Sequence, residues 1–182
     1  MCLLQMRLCL VGDRCGKTSL LQRWMHPHRP IEPESTVAID LKSFSISIDK
    51  RRVIIRAWDC SGSNAYDSLL DKYIFNSSVT LICFDLTRMD SWIKAQYWIK
   101  RCQEKPFCLI GTKLDRESER EVKEYTIKQY LKEVGFALYH EVSAYTGENC
   151  TDCLQMIVRE SIRNVDVFTV NDFQDKSTCF VM

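Results

Sequence analysis

The stretch Gly12-Asp13-Arg14-Cys15-Gly16-Lys17-Thr18 follows directly on an apolar run and precedes a segment with helical periodicity. A glycine-containing turn between a buried strand and a helix directs backbone N–H groups and the helix N-terminus at an anion. In such a phosphate loop the lysine reaches the β- and γ-phosphates and the threonine hydroxyl holds Mg²⁺. The spacing is one residue short, because three residues rather than the usual four separate Gly12 from Gly16. The alternative interpretation is an ordinary strand-to-helix turn that happens to contain Gly-Lys-Thr.

Apolar runs alternate with segments of helical period along the whole chain, which is typical of an α/β domain with a largely parallel sheet. The predicted strands are Met6–Val11, Leu41–Ile48, Val53–Asp59, Val79–Leu86, Phe107–Gly111 and Ala137–Val142. The second and third strands are separated only by residues 49–52, which predicts an antiparallel hairpin. Helices are predicted from three apolar stripes: Trp92, Ala95, Ile99 and Cys102; Ile127, Leu131 and Val134; Leu154, Ile157, Val158 and Ile162. We therefore predict a mixed six-stranded sheet flanked by helices.

The composition limits the classes of protein to consider. The chain has 182 residues, 46% of them hydrophobic, with only 6 Gly and 4 Pro, which predicts one well-cored domain rather than a disordered or fibrous chain. Lys plus Arg total 25 against 24 Asp plus Glu, so the formal charge is +1. A near-neutral chain lacks a broad electrostatic attraction to nucleic acid, and no nucleic-acid partner is expected.

Ten cysteines raise the possibility of disulfides, which belong mainly to small secreted chains with weak cores. Cys9, Cys83 and Cys108 lie inside apolar runs, where a thiol behaves as a small hydrophobic group. Cys150 and Cys153 form a lone C-x-x-C without a second pair to complete a zinc site, so helix packing is favoured over metal or redox chemistry. A reducing compartment is expected.

Three further motifs follow later strands. Trp58-Asp59-Cys60-Ser61-Gly62 ends the third strand with a carboxylate that can hold a metal-bound water and a glycine N–H that can contact a γ-phosphate. Thr112-Lys113-Leu114-Asp115 follows the fifth strand, and its carboxylate can accept hydrogen bonds from the N1–H and 2-amino group of guanine, a donor pair that adenine lacks. Ser143-Ala144 follows the sixth strand. Ligands of open α/β sheets bind beyond the carboxyl ends of the strands, where all four motifs are expected.

Taken together, the motifs resemble those of small GTPases of the Ras superfamily, over roughly residues 5–163. Ser35-Thr36-Val37-Ala38-Ile39-Asp40 resembles the first switch of the Rab branch, as do Trp58-Asp59 and Thr146-Gly147-Glu148-Asn149. Thr112–Asp115 resembles the Rho branch, which accepts Thr where most relatives have Asn. The stretches 36–40 and 58–62 are also similar to Roc domains.

The resemblance implies roles for individual residues, with Mg²⁺ as cofactor and GTP or GDP as the bound nucleotide. It assigns Mg²⁺ binding to Thr18 and Thr36 directly, and to Asp59 through a water molecule. It assigns catalytic roles to Lys17, Thr36, Gly62 and Ser63. The nucleotide-binding set is Gly12, Asp13, Arg14, Cys15, Gly16, Lys17, Thr18, Ser19, Arg29, Thr36, Gly62, Thr112, Lys113, Asp115, Ser143, Ala144 and Tyr145. The γ-phosphate would order two switch loops that partners read, and the implied partners are an exchange factor, an activating protein and effectors.

Several departures from the family pattern fall on these positions. Besides the short phosphate loop, Arg29 replaces the aromatic residue that usually covers guanine, and Ser63 replaces the glutamine that orients the attacking water. Guanine nucleotide binding with slow intrinsic hydrolysis is therefore expected. One alternative is an interaction module that no longer hydrolyses GTP. Another alternative is a P-loop kinase of small substrates. The Thr112–Asp115 motif and the lack of a basic lid-like insertion argue against a kinase.

The carboxyl end carries a second signal. Cys179-Phe180-Val181-Met182 fits a C-a-a-X prenylation box, with Met in the last place favouring farnesyl on Cys179. Residues 164–178 contain one Lys and three Asp, a net charge of −2. The tail therefore has no basic patch that would add electrostatic attraction to anionic lipids beside the farnesyl group. We expect a G domain over residues 1–163 and a flexible tail over 164–182. The expected location is cytoplasmic, with weak, reversible membrane association through the farnesyl group.

Overall fold

A six-stranded mixed sheet forms the centre of the computed structural model, which describes residues 3–31, 36, 38–62, 67–102, 105–135 and 138–164. The strands are β1 (Leu3–Val11), β2 (Ile39–Ile48), β3 (Arg51–Cys60), β4 (Val79–Asp85), β5 (Phe107–Thr112) and β6 (Tyr139–Glu141). Their order is β2-β3-β1-β4-β5-β6, and only the β2–β3 pair is antiparallel. The predicted fold class is confirmed.

The strand bounds differ from the prediction mainly at the hairpin. Ile48 pairs with Arg51, so the β2–β3 turn contains two residues, Asp49 and Lys50, instead of the predicted four. Both turn residues have positive φ, 48° and 63°, which is the left-handed backbone of a two-residue turn whose twist matches the flanking strands. The fourth strand ends one residue earlier than predicted, and β6 is limited to Tyr139–Glu141. Ala137, the predicted start of the last strand, lies outside the described residues.

Within the described residues, four α-helices connect strands: α1 (Lys17–Met25), α2 (Asp67–Asn76), α3 (Met89–Arg101) and α4 (Glu124–Glu133). A fifth, α5 (Cys150–Asn164), follows β6. A 3₁₀ helix, Leu114–Glu119, follows β5 and was not predicted. Helices α1 and α5 contribute to one hydrophobic cluster, whereas α2, α3 and α4 contribute to a second. Because both faces of the sheet are covered, its central strands are buried throughout, as in β4 and β5.

The predicted apolar stripes lie in these two clusters, with Val134 and Ile162 only partly buried at their edges. The eight cysteines within the described residues are all free and buried. Burial raises the pKa of Cys150 to about 11 and that of Cys153 to about 12, so both are neutral thiols packed in α5. The described residues contain no group of three or more His, Cys, Asp or Glu side chains that could hold a metal ion. Cys150 and Cys153 belong to the hydrophobic cluster that α1 and α5 share, in agreement with the predicted helix packing.

Within the described part of the chain, no helix combines the length and apolar character needed to cross a membrane. Helix α5 ends at Asn164, next to the predicted boundary of the domain. Residues 165–182, with the C-a-a-X box and Cys179, lie outside the described residues.

Candidate functional site

The four sequence motifs follow strands that run parallel to one another, so they meet at one edge of the sheet. Residues 12–18 follow β1, residues 59–62 span the end of β3, residues 112–115 span the end of β5, and residues 143–145 follow β6. This edge is where open α/β sheets bind their ligands. The geometry divides into a phosphate end, built by the first two motifs, and a base end, built by the last two.

The phosphate loop packs closely on the sheet. A Cβ atom on Gly12, whose φ is +140°, would lie 2.1 Å from the carbonyl oxygen of Cys83, so only glycine fits there. The Cys15 thiol donates to the same carbonyl at 3.2 Å. Arg14 and Gly16 both have left-handed backbone, with φ of 41° and 79°, and Gly16 is the N-cap of α1. Left-handed residues directly before a helix N-terminus can turn backbone N–H groups toward one point, which forms an anion-binding concavity.

The Lys17 side chain belongs to this concavity. It is 5% exposed, and its ammonium group donates to the Gly12 carbonyl oxygen at 2.7 Å. A buried ammonium group that is held by a neutral carbonyl can still gain from an anion, because burial strengthens charge–charge attraction. The lysine is therefore placed to attract phosphate oxygens.

Three oxygen-bearing side chains converge beside the loop. The Thr18 hydroxyl donates to Asp59 Oδ2 at 2.6 Å, the Thr36 hydroxyl donates to the same oxygen at 3.2 Å, and the two hydroxyls are 2.8 Å apart. Asp59 is fully buried, and its other oxygen, Oδ1, has no hydrogen-bond partner among the described residues. Burial is the largest influence on its pKa and raises it, although Thr18, Lys17 and Thr36 act in the opposite direction.

This oxygen cluster fits a magnesium ion. Mg²⁺ prefers oxygen ligands, takes few from protein and keeps several waters. Asp59 Oδ1 is a buried acceptor that lacks a donor among the described residues, and a cation or its water would satisfy it. The residues that would hold the ion are the two threonines and, through water, Asp59, the set that the sequence predicted.

The two loops at the phosphate end touch each other. A Cβ atom on Gly62 would lie 2.4 Å from the backbone nitrogen of Arg14. Asp13 pairs with Arg14 and with Arg88, each at 3.3 Å, and the Arg14 side chain is largely exposed. Space between the shortened phosphate loop and the second switch is therefore limited by backbone. Ser63 lies outside the described residues.

The base end is held by ion pairs and hydrogen bonds. Lys113 Nζ lies 2.6 Å from Oδ2 of the buried Asp85, and Ser143 donates to Asp115. Burial is the largest influence on the pKa of Asp85 and raises it, but the bonds from Lys113 and Thr87 together outweigh burial and lower the pKa. Asp85 therefore stays charged and fixes Lys113 beside the edge of the sheet.

Thr112 connects the base end to the phosphate end. Its buried hydroxyl lies 2.6 Å from the Cys15 carbonyl oxygen and 2.9 Å from that of Phe84. Asp115 is exposed, and Tyr145 is 78% exposed. Ala144 is half-buried, and Arg29 is exposed in the turn after α1, where its N–H donates to His26 at 3.2 Å. The Thr112 hydroxyl thus bonds the end of β5 to the phosphate loop.

One residue of the site was missed in the sequence. Arg23, in the last turn of α1, donates to the carbonyl oxygens of Ala144 at 2.7 Å, Pro27 at 2.5 Å and Tyr145 at 2.8 Å. Nothing in the local sequence distinguishes it from an ordinary basic residue at a helix C-terminus. Its partners are up to 122 positions away, so only the fold shows the contact.

Comparison with known proteins gives consistent matches. The Ras family model matches residues 7–163. The chain is 27% identical over 171 residues to GTP-binding protein ypt4 of Schizosaccharomyces pombe, covering 89% of this chain and 73% of that protein. It is 28% identical over 163 residues to Ras-related protein Rab-7a of Paramecium octaurelia, covering 84% and 79%.

A third relative is much longer. The chain is 26% identical over 185 residues to EF-hand calcium-binding domain-containing protein 4B of Homo sapiens, covering 95% of this chain but 25% of that protein. The chain therefore spans only a quarter of this relative's length. Because the family model covers residues 7–163 of the 182, the chain belongs to the Ras family.

Proposed function

We propose that this member of the Ras family is a small GTP-binding protein that alternates between GTP- and GDP-bound states. The observation that carries the proposal is the convergence of the Thr18, Thr36 and Asp59 oxygens beside the buried Lys17 ammonium group. This arrangement combines a cation for phosphate oxygens with an oxygen set for Mg²⁺. When bound, Mg²⁺ neutralises charge on the phosphates.

The base end supports a guanine nucleotide. Asp115 is the acceptor for the N1–H and 2-amino donors of guanine, and Ala144 offers its N–H to the 6-oxo group. Ser143 holds the Asp115 carboxylate from the adjacent loop. Adenine offers neither the donor pair nor the 6-oxo acceptor, which disfavours a P-loop kinase acting with ATP.

We further propose that the chain hydrolyses GTP to GDP and phosphate, slowly without an activating protein. The side chains at the phosphate end position the γ-phosphate and stabilise its developing charge, which is the main source of catalysis in phosphoryl transfer. Ser63 is too short to orient water as a glutamine does. An arginine supplied by an activating protein would raise the rate.

A second candidate function is a nucleotide-binding interaction module that does not hydrolyse GTP. The packing of Gly62 against the Arg14 backbone favours it, because a γ-phosphate needs room between these loops. Exchange factors and effectors remain implied partners for either function.

The first test is the nucleotide content of gently purified protein, released by denaturation and separated by chromatography. Near-stoichiometric guanine nucleotide is expected. An Asp115→Ala variant should lose guanine selectivity, whereas Asp152→Ala, an exposed carboxylate on α5, should not. An empty pocket that takes up no guanine nucleotide with Mg²⁺ would contradict the proposal, and adenine nucleotide in its place would support a kinase.

For the carboxyl end, we propose a G domain over residues 1–163 followed by a tail that is farnesylated on Cys179. Since one lipid chain gives marginal binding and the tail is acidic, association with a membrane should be weak and reversible from a cytoplasmic pool. A Cys179→Ser variant should shift fully to the soluble fraction. Identical fractionation of this variant and wild type would contradict the lipid anchor.

A further inference from the structure

We propose that Arg23 is a positioning residue for base recognition, which orients the Ala144 N–H toward the 6-oxo group of the nucleotide. The inference rests on the proposed guanine nucleotide binding and adds a specificity determinant to it. Arg23 itself does not touch the base. It acts through the backbone of the loop that follows β6.

The Arg23 guanidinium group makes three hydrogen bonds, and all of them go to backbone carbonyl oxygens. Nε donates to Ala144, Nη2 to Tyr145 and Nη1 to Pro27. Within the described residues it forms no ion pair with a carboxylate, and each of its three nitrogens donates to a backbone carbonyl oxygen. Hydrogen bonds from a charged group are stronger than neutral ones, and two adjacent carbonyls define an orientation rather than a single point.

The peptide planes on both sides of Ala144 are thereby fixed. The Ser143 carbonyl oxygen accepts from the Gly147 N–H at 2.8 Å and from the Cys150 thiol at 3.2 Å. A trans peptide is planar, and its N–H points opposite to its carbonyl, so these bonds direct the Ala144 N–H away from Gly147 and Cys150. Arg23 fixes the next plane through the Ala144 carbonyl, which leaves little freedom at Ala144.

The neighbouring residue strengthens this connection. The indole N–H of Trp24, which is buried, donates to the Cys150 carbonyl oxygen at 2.8 Å. The last turn of α1 is therefore bonded to both ends of the loop from Ser143 to Cys150. The contact with Pro27 ties the same guanidinium to the segment after α1, which contains Arg29. One side chain thus joins the two segments that flank the expected base.

The test uses two guanine analogues that separate the Ala144 contact from the Asp115 contact. In 6-thio-GDP a weak acceptor replaces the 6-oxo group, whereas the N1–H and 2-amino donors remain. Inosine diphosphate keeps the 6-oxo group and lacks the 2-amino donor. Dissociation constants for GDP, 6-thio-GDP and inosine diphosphate would be measured with Mg²⁺ on the full chain. The proteins are wild type, Arg23→Gln, Arg23→Lys and the control Arg163→Gln, which removes an exposed arginine of α5.

We expect Arg23→Gln to weaken the binding of GDP by about tenfold, which corresponds to the loss of roughly one hydrogen bond, the one between the Ala144 N–H and the 6-oxo group. Its preference for GDP over 6-thio-GDP should fall toward one, with the preference for GDP over inosine diphosphate unchanged. Arg23→Lys, which keeps the charge but not the fork, should be intermediate. Arg163→Gln should match wild type. This pattern would establish positioning at the 6-oxo group.

The opposing outcomes are distinct. Failure of wild type to bind any guanine nucleotide would overturn the proposed function itself. GDP binding with both analogue ratios unchanged in the Arg23 variants would overturn the positioning role alone. A purely structural role would lower the melting temperature and weaken the binding of all three nucleotides by the same factor, and that pattern too would overturn the proposal. If Arg23→Gln does not fold, the Arg23→Lys ratios decide.

Discussion

The Lys17 ammonium group is bonded to the Gly12 carbonyl oxygen, 2.7 Å away across the phosphate loop, and the side chain is buried. A buried cation whose described partner is a neutral carbonyl carries a desolvation cost that a phosphate offsets. The positive charge of Lys17 in the phosphate loop is therefore expected to pair with a phosphate group of the bound nucleotide.

Replacing Lys17 by Met should remove nucleotide-dependent stabilisation without destabilising the nucleotide-free protein. In wild type, GDP at ~100 times its Kd should add about 2.7 kcal/mol, or roughly 5–10 °C in melting temperature for a chain of this size. The variant should show almost no shift, as measured by thermal unfolding with and without GDP and Mg²⁺. Lys128→Met, at an exposed ion pair of α4, is the control. An equal GDP shift in Lys17→Met would refute the phosphate role of Lys17.

Asp59→Asn should stabilise the metal-free protein at neutral pH. Burial raises the pKa of Asp59 in the folded state above its value in the unfolded chain, which is about 3.9. The contribution of Asp59 to the free energy of unfolding is therefore fully favourable below pH ~3.9, and it is lost as the pH rises through the folded-state pKa. Asparagine never ionises but still accepts from Thr18 and Thr36. The free energy of unfolding of Asp59→Asn should therefore equal that of wild type in acid and exceed it by about 1 kcal/mol at neutral pH.

Denaturant unfolding across this pH range, with and without Mg²⁺, checks the Asp59 prediction. Magnesium should stabilise wild type more than Asp59→Asn, because the ion needs the carboxylate. The exposed Asp152→Asn serves as control. A variant that is less stable than wild type at neutral pH without metal would show that ionised Asp59 is well accommodated.

Gly62→Ala should disturb the contact between the second switch and the phosphate loop. The new methyl group would lie 2.4 Å from the Arg14 backbone nitrogen, so one of the loops must move. We expect a loss of about 1–3 kcal/mol in the free energy of unfolding, together with weaker GTP binding relative to GDP. Gly135→Ala, where the space is open, reports backbone strain alone. Unchanged stability and GTP preference would mean that the loops separate freely.

Ser63→Gln should raise the single-turnover rate of GTP hydrolysis. A glutamine at this position can orient the attacking water, and orientation is worth about tenfold or more. Rapid-quench measurement of phosphate release checks this rate. Ser63→Ala is the control, because alanine adds no polar group that could contact the water. The same rate in wild type and Ser63→Gln would remove Ser63 as the cause of slow hydrolysis.

Much of the fold was predictable because buried parallel strands read as apolar runs, as in Val79–Asp85. The placement of Asp59 at the end of β3 and of Asp115 just after β5 was predictable because strand ends and their motifs are local in sequence. The two-residue turn between β2 and β3 was not predictable, because Asp49-Lys50 lacks the Asn-Gly or Asp-Gly pattern that is typical of left-handed turn residues. The approach of Gly62 to Arg14 and the bonds of Arg23 join distant segments, so no local pattern encodes them.

The position of Lys17 and Arg23 on one helix has a consequence for length variation among related chains. Six residues of α-helix separate them by about 9 Å along the axis, which sets the spacing between the phosphate end and the base end. An insertion within α1 would turn Arg23 by about 100° and break its three bonds. The missing residue of the phosphate loop falls before the helix and leaves this spacing intact. We expect insertions and deletions to be excluded from residues 17–23.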